Sequence, residues 1–569
     1  MAVDTPSAEL PASAAPSVDF DDLVAQANAA PLPQKLWIWT RLSGPGWLQG
    51  AITLGGGSLA GSLYLGVIMG FGLMWLQPIA MMLGVIMLAA ISYVALSTGE
   101  RPFGLIRTHV SPALAWGWLL ATMMANIVWC LPQFALGTAA LTQNLIPGLN
   151  TSGGRVVAAG GLLVIALLVV WFYNSGSRGI RIFEYVLKGL VGLVVISFFG
   201  VVAAMTRAGL LPWGEILAGL IPNPRALFEP AKSLAEPIAA TAGYAGWWSE
   251  RIAGMQKDNI ITAFATAVGI NMTFLLPYSM LRKGWGKRHR GIGIFDLSIG
   301  LIVPFVLATS CVVIAAASQF HGQPDDVLQM VATGKGKEVG EYHRHVDARL
   351  EAELGSGFAA DPAALAAARD GLPMADRRMA AMIAGRDNLA LAKTLEPLVG
   401  SGVSQKLFGI GVLGMAISTI IILMVINGFA FCEMIGADPG GPMHRIGALI
   451  PAVGVLGPFY WAAAAPALAT PTSVIGGAML PIAYVTFLLL MNSPRALGSS
   501  MPRGRSRWCW NLLMIPATLV AGFGSVWGMF GKQLGSFPLG AVGIASLVVL
   551  LVLGVTSFLL KNPPTRSSV

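Results

Sequence analysis

Charge is scarce in this 569-residue chain: Asp, Glu, Lys and Arg make up 11% of it, against about 25% in an ordinary soluble protein. Cysteine is scarcer, with four residues, no CxxC and no paired spacing. That excludes a disulfide scaffold, and Cys130, Cys311, Cys432 and Cys509, all in or beside apolar runs, read as buried thiols. None of the six histidines falls inside an apolar run long enough to span a membrane, and no acidic residue stands in the middle of one. No basic stretch leads into an apolar core near the N-terminus, so residues 1–34 do not read as a signal peptide. These absences exclude a water-soluble enzyme, a disordered scaffold and a nucleic-acid binder as first readings. The net charge of +9 sits in short clusters between apolar runs, such as Arg282, Lys283, Lys287, Arg288 and Arg290, and not on one basic face.

Hydrophobic residues make up 55% of the chain, and mean hydropathy is +0.70. Apolar stretches near the length a helix needs to cross about 30 Å of hydrocarbon recur throughout. Spans are expected at about 46–68, 73–97, 114–140, 155–174, 181–206, 260–281, 295–318, 405–431, 446–464, 472–492, 509–530 and 537–560. The chain therefore reads as an all-α polytopic membrane protein of about 12 transmembrane helices. Residues 236–249 are too short and interrupted to span and read as interfacial or re-entrant, with Trp247 and Trp248 as interface anchors. Lys and Arg concentrate in alternate loops, which puts both termini in the cytoplasm of an inner (plasma) membrane protein.

Five regions follow. Residues 1–34 read as a flexible cytoplasmic tail, 35–500 as a ten-helix membrane core, and 207–259 as an outer connection carrying an interfacial helix. Residues 319–404, charged and Ala-rich, read as an extracytoplasmic helical insertion. Residues 501–569 supply two further transmembrane helices and a short tail. Asp296, Glu184 and Glu433 sit near span ends, where structural or gating pairs are expected. Glu341 and His345, four apart on a helix, could clasp a metal, but a solvated charged face is the plainer reading.

Two spans carry interruptions. Gly55, Gly56 and Gly57 fall in mid-membrane in the first, each weakening a helix by about 1 kcal/mol relative to Ala. Pro277 falls in the sixth. Interrupted helices at matching positions in two five-helix halves point to a transporter site at the midplane.

The chain resembles the Nramp family of divalent-metal transporters. The resemblance rests on Gly44-Pro45-Gly46, Ser97-Thr98-Gly99, Gly137-Thr138-Ala139, the run GLLPWGEILAGLIP and the stretch TLEPLVG to KLFGIGVLGMAISTI, in that order and spacing. It implies a five-plus-five inverted repeat (the LeuT-like fold), interrupted first and sixth helices, and ion transport by alternating access. Departures fall where the family binds metal. The family's Asp-Pro-Gly-Asn corresponds to Gly55-Gly56-Gly57-Ser58, and its Met-Pro-His-Asn to Leu276-Pro277-Tyr278-Ser279. Leu131 and Phe134 occupy the places of third-span acids, and Asn427 matches an eighth-span Gln.

A site without carboxylate or sulfur suits a divalent cation poorly. A broken helix presents free N–H groups and positive dipole, which favours an anion. The expectation is therefore a small anionic or zwitterionic solute (bicarbonate, a carboxylate or an amino acid). Its candidate contacts are Thr53, Gly55, Gly56, Gly57, Ser58, Thr273, Leu276, Pro277, Tyr278, Ser279 and Asn427, with no catalytic or metal-ligating residue and no cofactor. A divalent-cation transporter with a remodelled site is the alternative, followed by a transporter-fold sensor. An enzyme is not expected. The expected partners are the solute or ion and the lipid bilayer, with no nucleic acid. Oligomeric state is not legible.

Overall fold

The computed structural model describes residues 20–173, 176–334, 336, 338–355, 361–386, 391, 396, 400–460 and 479–562. Helices dominate. The chain opens with α1 (Phe20–Ala29) and α2 (Leu32–Leu42), then α3 (Pro45–Thr53), α4 (Gly56–Met69), α5 (Leu76–Thr98), α6 (Pro102–His109), α7 (Pro112–Ala139), α8 (Ser152–Tyr173) and α9 (Gly176–Arg207). Next come α10 (Trp213–Ala218), α11 (Ala235–Ala240), α12 (Ala245–Thr266), α13 (Ile270–Arg282), α14 (Arg290–Leu297) and α15 (Val303–Phe320). The insertion holds α16 (Asp325–Thr333), α17 (Glu338–Leu354), α18 (Pro362–Gly371) and α19 (Met374–Ile383). The chain continues through α20 (Ser401–Ile435), α21 (Pro442–Leu449), α22 (Leu480–Met491), α23 (Pro494–Leu497), α24 (Gly504–Met529) and α25 (Leu539–Lys561). Pro45, Pro102 and Pro112 begin helices, where a missing N–H breaks no internal bond. Gly99 and Gly436 end them in the left-handed conformation.

Among the described residues, eight helices are long and apolar enough to cross a membrane, or up to ten if each bent pair counts as one span. One bent pair is α3 with α4, turned by 55° at Leu54–Gly55, inside the expected first span. The post at the centre is α20, whose apolar window is 89% buried; that of α25 is 22% buried, and its open face is apolar, as a lipid-facing helix requires.

Several expectations change. The first 19 residues of the tail lie outside the described residues, but from Phe20 the chain is helical, with Val24 and Ala27 buried. The interfacial stretch 236–249 is the lead into α12. That helix begins the sixth span, and Glu250, Arg251, Lys257 and Asp258 hid it from a hydropathy reading. The sixth span breaks at Ala267–Gly269, eight to ten residues before Pro277, which lies inside the unbroken α13. Trp248 is fully buried and is no interface anchor. Cys509 is exposed, while the other three thiols are buried, and all four are free. Residues 461–478, covering most of one expected span junction, lie outside the described residues.

Candidate functional site

The two breaks meet. Met272, one turn into α13, points its sulfur at the end of α3, and the Thr53 hydroxyl lies 3.2 Å from it. The Gly269 N–H also points at that sulfur, at 3.4 Å. Sequence reasoning missed Met272 because it set the sixth interruption at the proline. The signal available was Gly269 followed by Asn271 and Met272.

Other elements close in on the first break. From α7, Gln133 accepts the Gly56 N–H on Oε1 at 3.1 Å. From α20, Thr419 comes so near that a Cβ on Gly55 would sit 2.7 Å from its hydroxyl oxygen. That approach explains the glycine at 55. Hydroxyl protons here go to backbone carbonyls: Ser58 to Thr53, Thr53 to Gln49 at 2.7 Å, Thr419 to Met415 at 2.8 Å and Ser418 to Ala51 at 2.9 Å. Each such oxygen is left offering lone pairs.

The remaining sequence candidates lie elsewhere. Thr273 accepts the Trp118 indole N–H at 2.9 Å and donates to Ile270, so it is a packing group. Leu276, Pro277, Tyr278 and Ser279 follow the break by seven to ten residues, about 10–15 Å along a helix. There Tyr278 stacks on Phe274 at 4.6 Å, and Ser279 donates to Leu276. Asn427 is eight residues beyond Thr419, about 12 Å, and donates to the Gly447 carbonyl at 2.9 Å.

The break is open on one side only. Gly57, Ala60, Gly61 and Tyr64 share one face of α4. Gly57 and Ala60 are exposed, and a Cβ on Gly57 or Gly61 would meet nothing within 4 Å. Ala60 and Tyr64 border an open cavity of about 510 Å³ that the insertion lines through Glu338, Glu341, Arg344, His345 and Arg386. The insertion is tied to the sixth span by Asp376, which accepts from Trp248 Nε1 at 2.6 Å and from Arg349 Nε at 3.0 Å. Glu341 pairs with Arg344 at 2.9 Å. Burial, then the charges of Arg251 and Arg344, press the His345 imidazole down to about 3. Among the described residues no three metal-binding side chains gather there.

The opposite, N-terminal side is shut. A space of only about 10 Å³ remains between Pro45, Leu48, Tyr173, Ser279, Arg282 and Lys283. Lys283 holds both oxygens of Glu184 at 2.8 Å. Asp296 accepts the N–H groups of Gly44 at 2.9 Å and Gly46 at 2.6 Å. Glu433 pairs with Arg101 at 3.5 Å. All three acids are thus held by an ion pair or by backbone N–H groups.

The sequence profile of the Nramp family (natural resistance-associated macrophage protein-like) matches residues 46–336 and 379–530. The chain belongs to the Nramp family. The unmatched stretch between those limits contains α17 and α18, so these helices are additions to the Nramp pattern. A metal transporter Nramp2 of Populus trichocarpa is 29% identical over 167 residues, 29% of each chain. Natural resistance-associated macrophage protein 1 of Sus scrofa is 28% identical over 185 residues, 32% of each. The alignments thus span about a third of these relatives' length. The fold agrees over more: a manganese transporter of Eremococcus coleocola, in a single-site mutant form, superposes with a TM-score of 0.62, covering 94% of this chain and 97% of that one at 14% identity. The chain is an integral membrane protein with the LeuT-like transporter fold of the Nramp family.

Proposed function

We propose that this Nramp protein is a secondary transporter that moves a divalent metal cation by alternating access through a site rebuilt without carboxylate. The observation that carries the reading is the Met272 thioether set against Thr53 where the two broken helices meet. A thioether is a soft ligand, and with the Thr53 oxygen beside it and the Ser58 and Thr419 oxygens at the neighbouring first break the site favours transition-metal ions over magnesium or calcium. The names of its relatives, metal transporters, support the same class. A neutral site cannot strip a divalent ion cheaply, so the ion keeps part of its water shell. Six waters at about 30 Å³ each fit within the cap-side cavity of about 510 Å³.

The anionic or zwitterionic solute expected from the sequence has less support. That expectation needed free donors at the start of α4; the Gly56 N–H is taken by Gln133 and the Ser58 hydroxyl proton by Thr53, which leaves the peptide N–H groups of Gly57 and Ser58 as the donors there. The Lys and Arg bias between spans supports cytoplasmic termini and an extracytoplasmic insertion.

Uptake of manganese and magnesium into proteoliposomes tests the proposal, with bicarbonate as a third arm. Met272→Leu is expected to weaken manganese uptake about tenfold, roughly 1.4 kcal/mol, and to leave magnesium nearly unchanged. Uptake of bicarbonate but of neither cation would restore the anion reading.

A further inference from the structure

Gln49 is fully buried in α3, and neither its Nε2 nor its Oε1 has a hydrogen-bond partner. Its place on the helix is informative. Pro45, Gln49 and Thr53 are spaced four apart and share one face. At one end of that face Thr53 meets Met272 of α13. At the other, Pro45 borders the small N-terminal-side space together with Ser279, Arg282 and Lys283. On an adjoining face, about 100° round the helix, Gly46 and Gly50 pack against the backbone at Asp296 and Gly300. The seam between α3 and α13 therefore runs from the break to the shut side, and Gln49 is the middle rung on the α3 face of that seam.

We infer that Gln49 is a contact for the permeating cation on the shut half of the path, made when the α3–α13 seam parts. A buried amide with both ends unpaired is a poor structural element, because it gives up its hydration and receives nothing back. A path residue has a reason to accept that position. Its carbonyl oxygen can take the cation released by Thr53 and Met272 about 6 Å away, four residues along the helix, and its NH2 can hold a water of the ion's shell. The neighbouring rungs offer no equivalent side-chain carbonyl: Pro45 has none, and Thr53 is at the break.

The inference rests on the cation reading, and the experiment separates the two. Full-length wild type, Gln49→Leu and Gln49→Asn are reconstituted in liposomes. Manganese affinity and maximal uptake rate are measured, with melting in detergent alongside. Gln49→Leu is expected to melt no lower than wild type, to bind manganese from the cap side within twofold, and to lose at least tenfold in maximal rate. Gln49→Asn is expected to recover part of that rate. Undiminished uptake by Gln49→Leu sinks the inference alone. Lower melting that accounts for the lost rate makes Gln49 a structural residue and overturns it as well. A wild type that takes up no divalent cation sinks the cation reading together with the inference built on it.

Discussion

The two halves of the first span share a glycine-rich sequence and use it differently near the break. In α3, Gly46 and Gly50 let backbone touch backbone: a Cβ at either would lie 2.1 Å from the carbonyl oxygen of Asp296 or Gly300. In α4, Gly57 and Gly61 face open space. Composition alone does not separate these roles. The partner decides: α3 meets a π-helical turn at Ser298–Ile302 that brings Gly300 forward, whereas α4 looks into the cavity beneath the insertion. Glycine packs backbone on backbone in α3 and again at Gly66 of α4, where a Cβ would lie 2.8 Å from the Val313 carbonyl oxygen, but at Gly57 and Gly61 it leaves the space beside the break open.

Substitution breaks the comparison most sharply at these glycines. Gly46→Ala forces backbone apart at the shut end and is expected to cost about 3 kcal/mol or more. Gly57→Ala adds a methyl to open space and removes a helix penalty of about 1 kcal/mol, so melting should hold or rise slightly. Thermal melts of the purified variants check both; equal losses would mean that the two halves are packed alike.

A smaller effect is expected from the ion pair that holds the shut side. Glu184 and Lys283 are only 14% and 11% exposed, so Glu184→Gln strands a nearly buried ammonium. That penalty, about 3 kcal/mol, shifts the population toward the state open on this side by about a hundredfold. A cysteine replacing Ser279, beside the small space, should then be alkylated faster from the N-terminal side. An unchanged rate would show that the pair does not hold the seam.

Reckoned per pH unit, the gentlest effect belongs to the insertion. Free imidazole titrates near 6.5, but His345 is pressed to about 3 in the fold. Above pH 6.5 both states are neutral there and the contribution is complete. As pH falls from 6.5 toward 3 the unfolded segment binds a proton the folded one refuses, and stability drops by no more than about 1.4 kcal/mol per pH unit. Hydrogen-exchange protection factors across Glu338–Leu354, with the base-catalysed intrinsic rate divided out, should fall on acidification, and His345→Gln should flatten that slope.

Much of the architecture was legible because lipid imposes simple arithmetic on length and polarity. The break in the first span was legible for the same reason, since three glycines at that depth need an explanation. The sixth span was not. Its first half carries Glu250 and Arg251 beneath the insertion, so it failed a hydropathy test, and Pro277 drew attention to a helix that absorbs it. Met272 stayed hidden because thioethers are common in apolar runs and nothing local distinguishes one that reaches a break. Gln133 and Thr419 were unreadable in another way: their role depends on α7 and α20 converging on residues far away in the chain. Hydroxyl-rich composition suggested donors, but the hydroxyl protons at the break turn inward to the backbone, and that is part of the support for the cation proposed above.

Asp296 grips the start of the first span through two peptide N–H groups, so the grip does not depend on which side chains that turn displays. Drift in the residues around it would leave the catch working, provided the turn keeps its shape. One carboxylate, encoded some 250 positions downstream, therefore writes the resting posture of a helix that carries no charge of its own.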